Sequence, residues 1–328
     1  MTAALVTAAL IAGALAHTLL VPRLLTRWTS LRRAPGEALA LWQAVSLTGV
    51  VCALLAAPVA ALTFGSDRPR LLAAAVVVSV LMLARLLWSG HRIGTDLRRM
   101  RAQNRELVDL VGDRLHETTD GEVPPRRRGR PEDRIAVVAH GNPTAYCLPG
   151  RKDRIVLGQG TVERLDPPQL RAVLAHEQAH LRQRHDLLLE LFTVLHEAVP
   201  PSLRAPTALR EVHLLTEVLA DRAALASGRT DHTTLAHALV SMAGSAPAPG
   251  TDTLTRGTDA LPSGTRASAD DRAGTTPYPV RLSAGHQVAD RLRVLAAPEA
   301  GPALRLLVLT LAAASLALPW ALLLLLLR

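Results

Sequence analysis

The chain has 328 residues, of which 49% are hydrophobic and 2% aromatic, and its 37 basic and 28 acidic residues give a net charge of +9. Two cysteines are too few for a disulfide framework or a four-cysteine zinc site. The hydrophobic residues are concentrated in four stretches of about bilayer-spanning length, which argues against a purely soluble protein.

The N-terminal part, 1–89, contains three of these stretches, and we predict transmembrane helices at about 2–22, 38–62 and 71–89. The first stretch resembles a signal peptide, but no basic residue precedes it and four arginines follow it closely, so we interpret it as a retained helix. The positive-inside rule places the arginine-rich loops after the first and third stretches in the cytoplasm and the N-terminus outside. We expect Arg85, within the third stretch, to reach the cytoplasmic interface as an anchor.

A fourth span is predicted at 303–328, which places the C-terminus outside and makes the protein a multi-pass protein of the cell membrane. The cytoplasmic insert before it divides into a charged helix with a basic linker (90–133), a compact domain (134–243), a disordered loop (244–277) and a return helix (278–302). We assign the positive charge to loops beside the lipid bilayer and do not expect direct nucleic-acid binding.

Within the compact domain, short β-like runs precede helices. The runs lie at 135–139, 145–148 and 155–157, and the helical blocks at about 167–186, 187–198 and 207–227. Pro149 and Gly150 suit a type II turn between the second and third runs, so we predict a small antiparallel sheet. We expect the first helical block to continue through Gln183.

The string His176-Glu177-Gln178-Ala179-His180 is the most informative part of the chain. Asp166, Pro167 and Gln169 before it suit a helix start with a capping box, so the string should lie within a helix. Side chains four residues apart then share one face, and the two imidazoles can bind one metal ion.

Two imidazoles leave a catalytic zinc site one protein ligand short. In the helical block at 207–227, Glu217 and Asp221 are one turn apart. We predict Glu217 as the third ligand and Asp221 as a hydrogen-bond acceptor that orients a ligand imidazole. Asp186 or His185, after the second motif histidine, and His213, before Glu217, remain alternative ligands.

The chain resembles membrane-embedded zinc peptidases of the gluzincin type, particularly the BlaR/MecR-type antirepressor family, which is related to HtpX-like proteases. The resemblance covers about 134–240 and the arrangement of three spans before the domain. It depends on the motif from His176 to His180, on Glu217-Val218-Leu219-Ala220-Asp221, and on Ala145-Tyr146-Cys147-Leu148-Pro149-Gly150.

The resemblance implies a mainly α membrane protein with four transmembrane helices and a cytoplasmic α+β, zincin-like metallopeptidase domain inserted between helices three and four. It also implies a substrate bound as an extended strand along the edge of the small sheet. With Zn2+ as cofactor, Glu177 would be the general base of peptide hydrolysis. His286 or Arg291, before the last span, is a candidate for stabilising the transition state.

We therefore expect an integral membrane zinc endopeptidase that cleaves a protein or peptide substrate, such as a transcriptional repressor or the protein itself, at the cytoplasmic face. Self-cleavage would fall in the loop 244–277, which is rich in small and polar residues. The alternative is a membrane-anchored regulatory or scaffold protein with a non-catalytic metal site.

Overall fold

The computed structural model describes residues 2–64, 69–119, 135–139, 141–150, 153–243 and 284–326. The predicted loop 244–277 and most of the basic linker lie outside the described residues. The chain forms two compact units, one of Met1–Arg98, Arg184–Arg222 and Arg293–Arg328, and one of Arg99–Gln183 and Ala223–Leu292.

The helices and strands follow in chain order. They are α1 (Thr2–Leu15), α2 (Val21–Arg27), α3 (Pro35–Phe64), α4 (Pro69–Thr119), β1 (Ile135–Val138), β2 (Ala145–Leu148), β3 (Arg154–Gly158), α5 (Gln159–Arg164), α6 (Pro167–Arg182), α7 (His185–Ala198), α8 (Pro206–Ala226), α9 (His232–Ala243), α10 (Ala284–Ala296) and α11 (Pro302–Leu326). A π-helical turn at Ala16–Leu20 joins α1 to α2, and a 3-10 helix occupies Thr29–Arg33.

Among the described residues, four helical stretches are long and apolar enough to cross a membrane, at Ala4–Arg27, Pro35–Leu62, Pro69–Val108 and Pro302–Leu326. This confirms the predicted number of candidate spans and supports a membrane protein. The third differs from the prediction of a span followed by a separate charged helix, because α4 is one continuous helix of 51 residues.

In the first unit, α1, α3 and α11 pack against one another. Gly13 of α1 lies so near α3 that an added Cβ would be 3.3 Å from Cys52 Sγ, and Gly49 of α3 lies equally near Thr18 in the π-helical turn. Thr48 Oγ1 donates a hydrogen bond of 2.9 Å to the carbonyl of Ser315 on α11. Small residues and interhelical hydroxyl bonds are the usual means by which helices pack in lipid.

Arg85 of α4 makes a contact that the sequence did not predict. Its Nε donates a hydrogen bond of 2.7 Å to the carbonyl of Ala198, at the end of α7, and the hydroxyl of Ser89 donates to the carbonyl of Val194 at 3.0 Å. A cation at a helix C-terminus satisfies carbonyls that have no partner within the helix. Arg85 therefore caps α7 in addition to any contact with lipid.

The second unit contains a three-stranded sheet with the order β1-β3-β2. The antiparallel pairing of β2 with β3 is confirmed, with Tyr146 opposite Val156, but β1 pairs with β3 in parallel, so the sheet is mixed. The helix α6 packs against β2 and β3. Val108 of α4 forms a small core with Leu148 and Val156.

The expectation that the first helical block continues through Gln183 is wrong. The helix α6 ends at Arg182, and Arg184 adopts a left-handed conformation with φ of 52° before α7 begins at His185. Such a conformation costs a residue with a side chain roughly 1–2 kcal/mol, which is why a sequence without glycine here suggested a continuous helix.

Candidate metal centre

The position of α6 along the chain is set by its first turn. The side chain of Asp166 accepts a hydrogen bond of 2.8 Å from the backbone N–H of Gln169, and the backbone N–H of Asp166 donates to the Gln169 side chain at 3.3 Å. Pro167 occupies the first helical position. This is the predicted capping box, which begins the helix nine residues before the first motif histidine.

The two motif histidines direct equivalent atoms to one point. Nε2 of His176 and Nε2 of His180 are 3.1 Å apart, and the two rings meet edge to face with centroids 4.7 Å apart. Two nitrogens bound tetrahedrally to one zinc ion at 2.0–2.1 Å would be about 3.3 Å apart. The geometry of the pair therefore fits two imidazole ligands of a single ion.

Glu217 of α8 belongs to a group of three side chains that could hold a metal ion. One ligand atom each from His176, His180 and Glu217 lies within 4.8 Å of the others, and this is the one such group found in the described part of the chain. Two imidazole nitrogens and a carboxylate oxygen are a donor set typical of catalytic zinc. The three residues fit the metal that the sequence predicts.

Two further acidic residues are buried beside these ligands in the sequence. Glu177 follows the first motif histidine on α6 and is 9% exposed, and Asp221 lies one turn after Glu217 on α8 and is fully buried. Carboxylates are rarely this buried unless they have a partner or a chemical role. Their roles as general base and as orienting acceptor remain predictions.

The alternative ligands lie outside the group. His185, Asp186 and His213 are not members of the three-residue cluster among the described residues. Burial lowers the pKa of His213, while the negative charge of Glu217, one turn away, acts in the opposite direction. His213 thus favours its neutral form next to the proposed ligand.

Of the two candidates for transition-state stabilisation, only one has a described side chain. Arg291 of α10 is 8% exposed, and its Nη2 is 3.4 Å from Nδ1 of His176. His286 lies in the first turn of α10, and its side chain is outside the described residues. Sequence reasoning placed Arg291 near the substrate but did not foresee its contact with a proposed ligand.

Sequence reasoning also missed a contact of α8. Glu211, 8% exposed, binds Arg32 from the loop after the first span. In the sequence, Glu211 is one of several charged residues in a helical block, and Arg32 indicates only the topology.

Residues 112–200 match the model of peptidase family M48. The matched region contains α6 with both motif histidines and ends before α8, so Glu217 and Asp221 lie beyond it. No curated protein and no solved structure matches the chain. The family match supports a metallopeptidase that acts on protein substrates, and the cluster at His176 is compatible with the metal that such an enzyme requires.

Proposed function

We propose that this protein is an integral membrane, zinc-dependent endopeptidase that hydrolyses peptide bonds of a protein substrate at the cytoplasmic face of the cell membrane. The observation that carries the proposal is the convergence of His176, His180 and Glu217 within 4.8 Å. The family match over 112–200 and the four candidate spans support it.

The chemistry follows from the residues around the proposed ion. His176, His180 and Glu217 would hold the zinc ion, which would supply Lewis acidity to the reaction. Glu177 accepts a proton from the attacking water and later delivers it to the leaving amine. Asp221 orients a ligand imidazole by accepting a hydrogen bond from it.

Arg291 supplies positive charge next to this machinery. Its guanidinium contacts Nδ1 of His176 in a buried position, where a charge acts more strongly than in water. In the proposal, either Arg291 or His286 stabilises the negative charge that develops on the carbonyl oxygen during hydrolysis.

The sheet offers a place for the substrate. β2 is an edge strand of the three described strands, and it packs against α6. An extended peptide can add to such an edge through backbone hydrogen bonds. The substrate is accordingly an unfolded or loop segment of a repressor, of a membrane protein or of this chain, as in a regulatory peptidase of the BlaR/MecR type.

The orientation of the membrane helices follows from the arginines. Arg23, Arg27, Arg32 and Arg33 follow the apolar part of the first span, and Arg92, Arg98, Arg99 and Arg101 follow the apolar part of the third. The positive-inside rule then places both chain termini outside and α6 in the cytoplasm.

The decisive test is Glu177→Gln in the full chain, purified in detergent. Zinc content is measured by elemental mass spectrometry and proteolysis with casein, an unfolded substrate. We expect the variant to retain zinc and to lose about 10²- to 10⁴-fold in cleavage rate, the usual contribution of a general base. Glu163→Gln, an exposed residue of α5, is the matched control and should cleave at the wild-type rate.

Equal cleavage by wild type and Glu177→Gln would contradict the mechanism. Zinc without cleavage in the wild type would instead favour the membrane-anchored scaffold with a non-catalytic metal site. Mass spectrometry of both proteins also tests self-processing, because fragments that depend on Glu177 and end within 244–277 identify self-cleavage in that loop.

A further inference from the structure

The helix α8, which carries Glu217, is bound by the segment between the first two spans. Nε and Nη2 of Arg32 donate to the two carboxylate oxygens of Glu211, each at 2.8 Å. The two side chains are only 21% and 10% exposed. A paired guanidinium–carboxylate interaction of this kind fixes orientation as well as distance, and lysine cannot reproduce it.

A second bond holds the same helix eleven residues further along. Nη1 of Arg222 donates to the carbonyl of Arg33 at 2.9 Å. Eleven residues correspond to about 16 Å of helix and to three turns plus about 20°, so Glu211 and Arg222 lie on the same side of α8. Two bonds on one side, three turns apart, limit both sliding and rotation of the helix.

Glu217 lies between these two bonds along the helix, about 120° around the axis from Glu211 and about 140° from Arg222. The tip of a side chain is about 6 Å from the helix axis, so a rotation of 20° would move its carboxylate by about 2 Å. That displacement equals a zinc–oxygen bond length. The rotation of α8 therefore sets the direction in which the Glu217 side chain leaves the helix.

The segment that holds α8 is itself partly buried and hydrogen-bonded to other parts of the first unit. Leu31 is 1% exposed and Ala34 is fully buried, and the backbone N–H of Ala34 donates to the carbonyl of Leu31 at 2.9 Å. The carbonyl of Arg33 also accepts a hydrogen bond of 3.1 Å from the N–H of Ala300, just before α11. The segment is continuous with the first two spans, because α2 ends at Arg27 and α3 begins at Pro35.

We infer that Arg32 is a positioning residue of the metal centre, which fixes the rotation of α8 through Glu211 and so holds Glu217 at binding distance. This inference rests on the proposed metal site. It adds that the segment between the first two spans sets the position of the third proposed ligand.

The test measures zinc affinity of the full chain in detergent by competition with a chelator of known affinity. Arg32→Gln should weaken zinc binding about tenfold, at the lower end of the loss caused by removing partners of metal ligands. Arg32→Lys should fall in between, because it keeps the charge but not the paired geometry. The exchange of Arg32→Glu with Glu211→Arg should return the affinity towards the wild-type value.

Arg27→Gln is the matched control, because it removes the same charge from an exposed position of α2 and should leave zinc affinity unchanged. The visible spectrum of the cobalt-substituted protein reports the ligand geometry independently of activity. Arg32→Gln should alter this spectrum and Arg27→Gln should not.

The outcomes separate this inference from the proposed function. A wild-type protein that binds no zinc contradicts the metal site itself. If the wild type binds zinc and Glu217→Gln weakens it, but Arg32→Gln has wild-type affinity and only a lower unfolding temperature, Arg32 is merely structural and the inference is wrong. If Arg32→Gln does not fold, the exchanged pair decides, because restored folding with tenfold weaker zinc binding also overturns the inference.

Discussion

The two helices that offer the proposed metal ligands are held in different ways. The start of α6 is fixed by its own first turn, through the reciprocal bonds of Asp166 and Gln169. The helix α8 is held instead by Arg32, 179 residues away in the chain, which binds Glu211. The start of one helix is set by neighbouring residues, whereas the other helix is bound by a residue far away in the chain.

This difference explains why the histidine pair on α6 is easier to recognise from the sequence than the carboxylate on α8. A capping box and two histidines four residues apart are local patterns, and a local pattern keeps its geometry wherever a helix forms. A carboxylate on a second helix is useful only when that helix has the correct rotation. The histidine pair therefore requires only that α6 forms a helix, whereas Glu217 also requires the correct rotation of α8.

The largest effects should come from replacing a single proposed ligand, either His180 on α6 or Glu217 on α8. We expect His180→Ala to weaken zinc binding by more than the roughly 100-fold caused by losing an outer partner, because it removes an imidazole that binds the ion directly. Glu217→Gln should also weaken zinc binding, because the negative charge is lost. The loss should be smaller than for His180→Ala, because an amide oxygen remains to bind the ion. Chelator competition measures both.

A double variant then tests whether the two helices act on the same ion. Residues that bind one ion should give non-additive changes in binding free energy, whereas independent sites should give additive ones. Wild-type affinity in Glu217→Gln would show that the third ligand lies elsewhere, with Asp186 or His213 as the next to replace.

A smaller loss is expected from Asp221→Asn, one turn beyond Glu217. If Asp221 accepts a hydrogen bond from a ligand imidazole, its replacement should weaken zinc binding about 10- to 100-fold, because the carboxylate sets the tautomer and orientation of the ring. The same measurement on Asp153→Asn, whose side chain accepts a bond from Gly150, should show no change. Equal effects of the two substitutions would remove the special role of Asp221.

The smallest effect concerns the local anchor of α6. Asp166→Ala removes the helix cap and should lower the free energy of unfolding by about 1 kcal/mol, with little change in zinc affinity, because the rest of α6 keeps its packing. Urea denaturation measures the first and chelator competition the second. Arg171→Ala, at an exposed position of the same helix, is the control. A large loss of zinc affinity in Asp166→Ala would mean that the geometry of the histidine pair also depends on the helix cap.

Much of the fold was predictable where the signal was local or strongly apolar. The four candidate spans, the antiparallel pairing of β2 with β3 and the capping box at Asp166 each follow from a short segment of sequence. The end of α6 was not predictable in this way, because Arg184 adopts a conformation that usually requires glycine. The parallel pairing of β1 depends on a connection that leaves no short-range pattern.

Contacts between distant residues account for the rest. The arginine at position 32 is one of several in an arginine-rich loop, and nothing in its neighbours identifies Glu211 as its partner. The contact of Arg291 with His176 likewise joins residues 115 positions apart. Each charged residue has many possible partners in the sequence, and the folded structure determines which of them lies within hydrogen-bonding distance.

The order of synthesis on the ribosome limits when the bonds of Arg32 and Arg33 can form. Glu211 is synthesised 179 residues after Arg32, which at about 5–20 residues per second is a delay of roughly 10 to 35 seconds. The backbone N–H of Ala300, which also binds the carbonyl of Arg33, appears later still, just before the last span. These bonds therefore form only after α8 has been synthesised, and the set is not complete before Ala300 has been added.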